Sequence, residues 1–155
     1  MKLEILAASP LWRRAPFARA GARKALAAAA RRCGVKLLAR AEVSLHLADD
    51  SHVRALNAQW RGIDKPTNVL SFPAADPKRL AAAPMLGDIV LAYETLAREA
   101  AEQGLSLEAH FLHLTVHGFL HLAGFDHQTV KQARQMEGLE TEILAGLGIG
   151  DPYRE

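Results

Sequence analysis

The sequence predicts an α+β fold: a single domain over residues 1–155, with a small mixed four-stranded sheet and about five helices around a central histidine-bearing helix. Three observations predict it. Residues 42–48 (EVSLHLA) alternate cleanly, placing Val43, Leu45 and Leu47 on one face of a strand. Residues 107–123 have the length of a helix but are apolar almost all round, the pattern of a buried central helix. The remaining chain shows no repeat and no long linker, so nothing marks a second domain.

Taken in order, residues 2–8 alternate weakly and suit a strand. Residues 16–33 suit a helix, because Pro16 fits a first-turn position, alanine dominates and Gly34 can stop it. After the strand at 42–48, Asp49 or Asp50 can cap a short helix with Val53, Leu56 and Trp60 inward. Gly62 and Pro66 punctuate an ordered loop, RGIDKPTNV, which runs into a strand at 68–72 ended by Pro73. Residues 74–85, with Pro77 and Pro84, read as an exposed excursion. Residues 87–92 read as a strand, and 93–103 as a helix stopped by Gly104. Ser106 can cap the central helix, and Gly124 ends it. A last helix, about 129–146, turns Val130, Ala133, Met136, Leu139 and Ile143 inward.

Composition narrows the class. Half of the residues are hydrophobic and 23% are charged, as in an ordinary globular protein. The single cysteine, Cys33, excludes an internal disulfide and a cysteine-built metal cage, and it reads as a small buried hydrophobe. No apolar run is long enough to cross a bilayer and no signal-like segment follows Lys2, so a cytoplasmic location without membrane association is expected. The net charge of +2 hides an asymmetry. Residues 1–40 carry ten basic groups against one acid, Glu4, whereas residues 41–155 carry nine against sixteen. A basic surface of that kind attracts polyanions, or is simply a solvated helix face.

Of seven histidines, five fall between 110 and 127. At about 100° per residue, His110, His113, His117 and His121 share an arc of about 80° on the central helix. His117 and His121 are one turn apart and can share an ion, and a left-handed turn at Gly124 can bring His127 to a third corner. Three neutral nitrogens with an open fourth position describe a catalytic zinc site, although nickel, cobalt or iron suit the same ligands. His113 is expected to hydrogen-bond or pack rather than ligate, and His110, near the helix start, to be partly exposed. His46 and His52 read as structural. Asp126 can orient a ligand, hold water at the metal or cap the last helix.

The spacing H-x3-H-x2-G-x2-H also occurs in metzincin proteases, where Glu follows the first histidine as general base. Here that residue is Gly118, which argues against peptide hydrolysis. A phosphodiester depends less on such a carboxylate, since a guanidinium can stabilise the charge on its oxygens. Arg61, beside Lys65 in the turn-rich loop, is the candidate catalytic group.

The segment HGFLHLAGFDH (117–127) resembles the signature of the YbeY family of bacterial endoribonucleases, which mature ribosomal RNA. LNAQWRGIDKPTNVLSFP (56–73) and GDIVLA (87–92) resemble its two other blocks, in the same order. The resemblance covers most of the chain from Leu45 onward and implies zinc ligands at His117, His121 and His127 and an RNA-cleavage arginine at Arg61. It also implies a single-strand-specific, metal-dependent endoribonuclease acting in small-subunit ribosomal RNA 3′-end maturation and ribosome quality control. The partners it implies are small-subunit components and assembly factors. Asn68 stands where many members have Asp, so no charged role is assigned there. Two rivals remain: a metzincin-like metal hydrolase, and a non-catalytic assembly factor with structural zinc. The nucleophile, either water or the RNA 2′-hydroxyl, is open at this stage, as are sequence preference and oligomeric state.

Overall fold

A computed structural model describes residues 1–153. Its strands are β1 (Lys2–Ala7), β2 (Glu42–Ala48), β3 (Val69–Pro73) and β4 (Met85–Ala92). Its helices are α1 (Ala18–Arg32), α2 (Asp50–Arg61), α3 (Tyr93–Gln103), α4 (Leu107–Leu122) and α5 (Val130–Gly146). Two 3-10 turns, Pro10–Arg14 and Pro77–Ala82, complete the described elements. The sheet order is β1-β2-β4-β3, with β1, β2 and β4 parallel and β3 antiparallel on the edge. The α+β class and the mixed four-stranded sheet are as the sequence predicts.

Pairing sets the two faces. Register aligns Leu45 with Ile5 and Ile89, and Leu47 with Leu91, so one face is continuously apolar. On that face α1 and α4 pack, with Phe111, Phe119, Leu120 and Leu26 buried against the strands. The opposite face, built from Ala48, Leu70, Val90 and Ala92, is covered by Val53 of α2. Helix α4 is thus enclosed by the sheet, α1, α3 and α5, which explains its lack of a polar face.

The alanine run of α1 buries Ala18, Ala22, Ala25 and Ala29, while Arg19, Arg23, Lys24, Arg31 and Arg32 remain exposed. Ahead of it, the unanticipated 3-10 turn buries Trp12, whose Nε1–H donates to Ala48 O at 2.7 Å. Its ring meets Tyr93 and Phe111 edge-on.

Several expectations are corrected. Trp60 is 65% exposed, not inward. The inner stripe of α2 is Val53, Leu56 and Asn57, because the core on that side is one thin layer and the helix runs past it toward the β3 edge. Val130 is likewise exposed at the first position of α5. The 74–85 excursion is anchored by buried Leu80 and Ala83 rather than wholly solvated. β4 begins two residues earlier than expected, at Met85, with a register shift opposite Glu42 and Val43. Among the described residues, no helix is long and apolar enough to cross a membrane.

At that irregularity Gly87 has φ +141°, and an added Cβ would lie 2.3 Å from Phe72 O and 2.8 Å from Leu122 Cδ2. Only glycine lets β3 and the end of α4 approach β4 so closely. Gly87→Ala is therefore expected to destabilise the protein by about 2–5 kcal/mol through combined strain and overpacking. The urea unfolding midpoint measures this, and an unchanged midpoint would contradict the packing described.

Candidate metal centre

Helix α4 starts under a Ser106 cap, whose Oγ accepts from Ala109 N–H at 3.1 Å. It ends at Ala123, and Gly124 turns the chain at φ +95°. Phe125 N–H then donates back to Leu120 O at 3.0 Å, and Asp126 Oδ1 accepts from His127 N–H at 2.8 Å. This compact reversal carries His127 beside the helix. Its ring stands 5.8 Å from that of His117 and 5.1 Å from that of His121, centroid to centroid.

One ligand atom from each of His117, His121 and His127 lies within 4.8 Å of the others. The Nε2 atoms of His117 and His121 are 3.1 Å apart, close to the about 3.3 Å edge of a tetrahedral zinc–nitrogen site. The outer nitrogens explain why those two atoms face each other. His121 Nδ1–H donates to Phe125 O at 3.0 Å, and His117 Nδ1–H donates to Glu140 Oε1 at 2.5 Å. With the Nδ1 protons held there, a ring in its neutral form presents a bare lone pair on Nε2. Two lone pairs at that separation call for a shared cation. Burial, reinforced by the neighbouring His117 and His127, holds the His121 pKa below its ordinary value and favours its neutral, ligating form. The residues present fit a single metal ion.

Around this triad runs a cleft of about 680 Å3, lined by Arg61, Asn68, Ser71, Pro77 and the Gly124–Gln128 turn. Arg61 is the last residue of α2, where left-handed Gly62 ends the helix. The loop beyond is pinned twice. Asn57 Nδ2 donates to Lys65 O at 2.9 Å, and Arg54 makes a two-pronged pair with Asp64 at 2.8 and 3.1 Å. Arg61 itself has no carboxylate partner among the described residues, so its charge is free for an anionic guest. Lys65 is exposed on the same loop. None of the basic residues of the N-terminal segment lines the cleft.

The other histidines sit outside the triad. His46 pairs with Asp88 at 2.9 Å, and His52 is exposed, its backbone N–H capped by Asp49. His113 hydrogen-bonds Glu140 Oε2 at 2.9 Å, as expected of a non-ligating role. His110 departs from expectation: it is 4% exposed, with Nε2 on Glu99 Oε1 at 2.9 Å, because α3 covers the first turns of α4.

Asn68 also gains a physical reading. Its Nδ2 donates to both oxygens of Glu99, at 2.9 and 3.3 Å. An aspartate there would set two carboxylates against each other, so the amide is matched to its neighbour.

Sequence reasoning missed Glu140 and Tyr153. Glu140 is fully buried on α5 and accepts from His117, His113 and the Tyr153 hydroxyl. Burial pushes its carboxyl up, but those hydrogen bonds outweigh burial and hold it at about 2. A signal was present: Glu140 falls on the inward spacing Met136, Glu140, Ile143, where an acid breaks an apolar stripe. Tyr153 lies beyond the last helix, and nothing local in the sequence ties it to the site.

A family model described as Endoribonuclease YbeY matches residues 15–148. A Bradyrhizobium diazoefficiens protein named Endoribonuclease YbeY is 51% identical over 156 residues, covering 98% of this chain and 85% of its own length. One of the same name from Rhizobium meliloti is 61% identical over 115 residues, 73% of this chain and 68% of its own. A Thermotoga maritima protein solved in solution matches 99% of both chains with a TM-score of 0.59 at 22% identity, a likeness of fold.

Gly118 faces away from the triad. An added Cβ would lie 2.9 Å from Ile89 Cγ2 and 3.2 Å from Ser71 Oγ, and Ser71 Oγ–H donates to Gly118 O at 2.9 Å. The residue after the first histidine is thus the point where α4 presses on β3 and β4. Gly118→Glu is expected to create no peptidase and to lower stability by several kcal/mol, through overpacking and a buried charge. Thermal unfolding together with a peptide-cleavage assay checks both parts.

Proposed function

The chain belongs to the endoribonuclease YbeY family, and on that premise we propose that it is a zinc-dependent, single-strand-specific endoribonuclease of ribosomal RNA maturation. In this reading one domain spanning residues 1–155 acts in the cytoplasm at the 3′ end of small-subunit RNA and in ribosome quality control. Small-subunit components and assembly factors are its partners. The observation that carries the proposal is the meeting in one cleft of three histidines and an arginine that has no carboxylate partner among the described residues.

His117, His121 and His127 would hold the zinc ion. Bound there, zinc supplies Lewis acidity toward a phosphodiester. The chain supplies the rest. Arg61 binds the scissile phosphate from the opposite lip and offsets the charge that gathers on its oxygens in the transition state. The pinned 62–65 loop keeps that guanidinium from collapsing onto a neighbouring acid, since Asp64 is already engaged by Arg54. The cleft volume lies within the about 300–1,000 Å3 of small-ligand pockets. That room suits one or two nucleotides of a flexible strand better than a rigid duplex. Asn68 and Ser71 line its floor, but both have their polar atoms engaged and serve to shape it.

Incubating metal-analysed protein with single-stranded and duplex RNA, and mapping the product ends, tests the proposal. Arg61→Glu is expected to keep its metal content and unfolding midpoint while cleaving on the order of 100-fold more slowly or worse. His117→Ala is expected to lose the metal. Wild-type cleavage rates from Arg61→Glu would overturn the assignment of that residue.

A further inference from the structure

We propose that Glu140 is a positioning residue that selects which nitrogen of His117 faces the metal, and that α5 and the C-terminal segment exist at this site to hold its carboxylate. The inference rests on the metal-binding reading above, but it concerns a residue that reading does not use.

A neutral imidazole carries one proton, and the free ring prefers it on Nε2. At His117 that preference would be ruinous, because Nε2 is the atom that points at His121, 3.1 Å away. Something must draw the proton to Nδ1. Glu140 Oε1 sits 2.5 Å from that Nδ1, and an ionised carboxylate only accepts, so the proton must lie on Nδ1. His121 solves the same problem with the Phe125 carbonyl, a backbone group that its own turn supplies. His117 lies mid-helix, where every nearby carbonyl serves the helix, so its acceptor must come from another element.

The carboxylate is itself held. Oε2 accepts from His113 Nε2 at 2.9 Å and from the Tyr153 hydroxyl. Those contacts account for three features at once: a fully buried acid, a non-ligating histidine one turn before His117, and a tyrosine beyond the last helix. A carboxylate bonded to a ligating histidine also makes the ring a stronger donor. Met136, Ile143 and Leu144 surround Glu140 on α5, so an apolar residue of similar size can take its place.

The test compares wild type, Glu140→Leu and Glu140→Gln. Zinc affinity is read by competition with a chromophoric chelator, and the His117 tautomer by ring nitrogen shifts in metal-free protein near neutral pH. Glu140→Leu removes the acceptor and is expected to move the His117 proton toward Nε2 and weaken zinc binding by about 10–100-fold. Glu140→Gln retains an uncharged acceptor and is expected to recover the wild-type tautomer and part of the affinity. A packing role alone would lower stability without moving the tautomer. Wild-type tautomer and affinity in Glu140→Leu would overturn the proposal. If that variant does not fold, wild-type affinity in Glu140→Gln overturns it. Should wild-type protein bind no zinc, the metal reading fails, and the metal-free tautomer still decides the role of Glu140.

Discussion

Every ring nitrogen on a buried helix needs a partner, and α4 carries four imidazoles in its sixteen residues. That constraint organises the molecule. Glu99 of α3 answers His110, Glu140 of α5 answers His113 and His117, and the Phe125 carbonyl answers His121. Two flanking helices and one turn are therefore placed by the demands of imidazole chemistry as much as by apolar packing. Among the described residues, His110 Nδ1 stays buried without a hydrogen-bond partner, and the Nε2 atoms of His117 and His121 have only each other. Of those two places, only the second has a third imidazole, His127, close enough for a cation to be shared.

The cleft has two lips of different character. The turn after α4 is built from the same helix that carries two of the histidines, so the triad is a rigid, local object. Arg61 arrives from the last position of α2, whose Val53 packs on the far face of the sheet, and there it lines the cleft beside the histidines. The placing of the guanidinium against the histidines accordingly depends on how α2 and α4 sit on the two faces of the sheet. The basic groups of α1 stand elsewhere on the surface, outside the residues that line the cleft.

Elements with strong local periodicity were legible. The alternation in β2, the Ser106 cap and the left-handed stop at Gly124 all follow from residue type and spacing, and the coming together of three histidines follows from helical pitch. The misreadings share one cause. Periodicity turns Trp60 and Val130 inward, and nearness to the helix start leaves His110 partly exposed, whereas the exposure of all three depends on which neighbour reaches them. Glu140 and Tyr153 were missed because a hydrogen bond spanning 23 residues, or one to a residue beyond the last helix, leaves no local periodic trace. Gly118 lacks the carboxylate of a peptidase, and the structure adds a second role, close contact with the strands pressing against it.

The three histidines occupy eleven consecutive residues of the chain, 117–127. An ion bridging them would close a very short segment, and the configurational freedom removed by a crosslink shrinks with the contour it spans. Such an ion would therefore knit together one helix end and its turn, leaving the pairing of distant strands to the apolar core. In that arrangement architecture and metallation would be separable, the ion a fitting mounted on a scaffold whose apolar core is built from other residues.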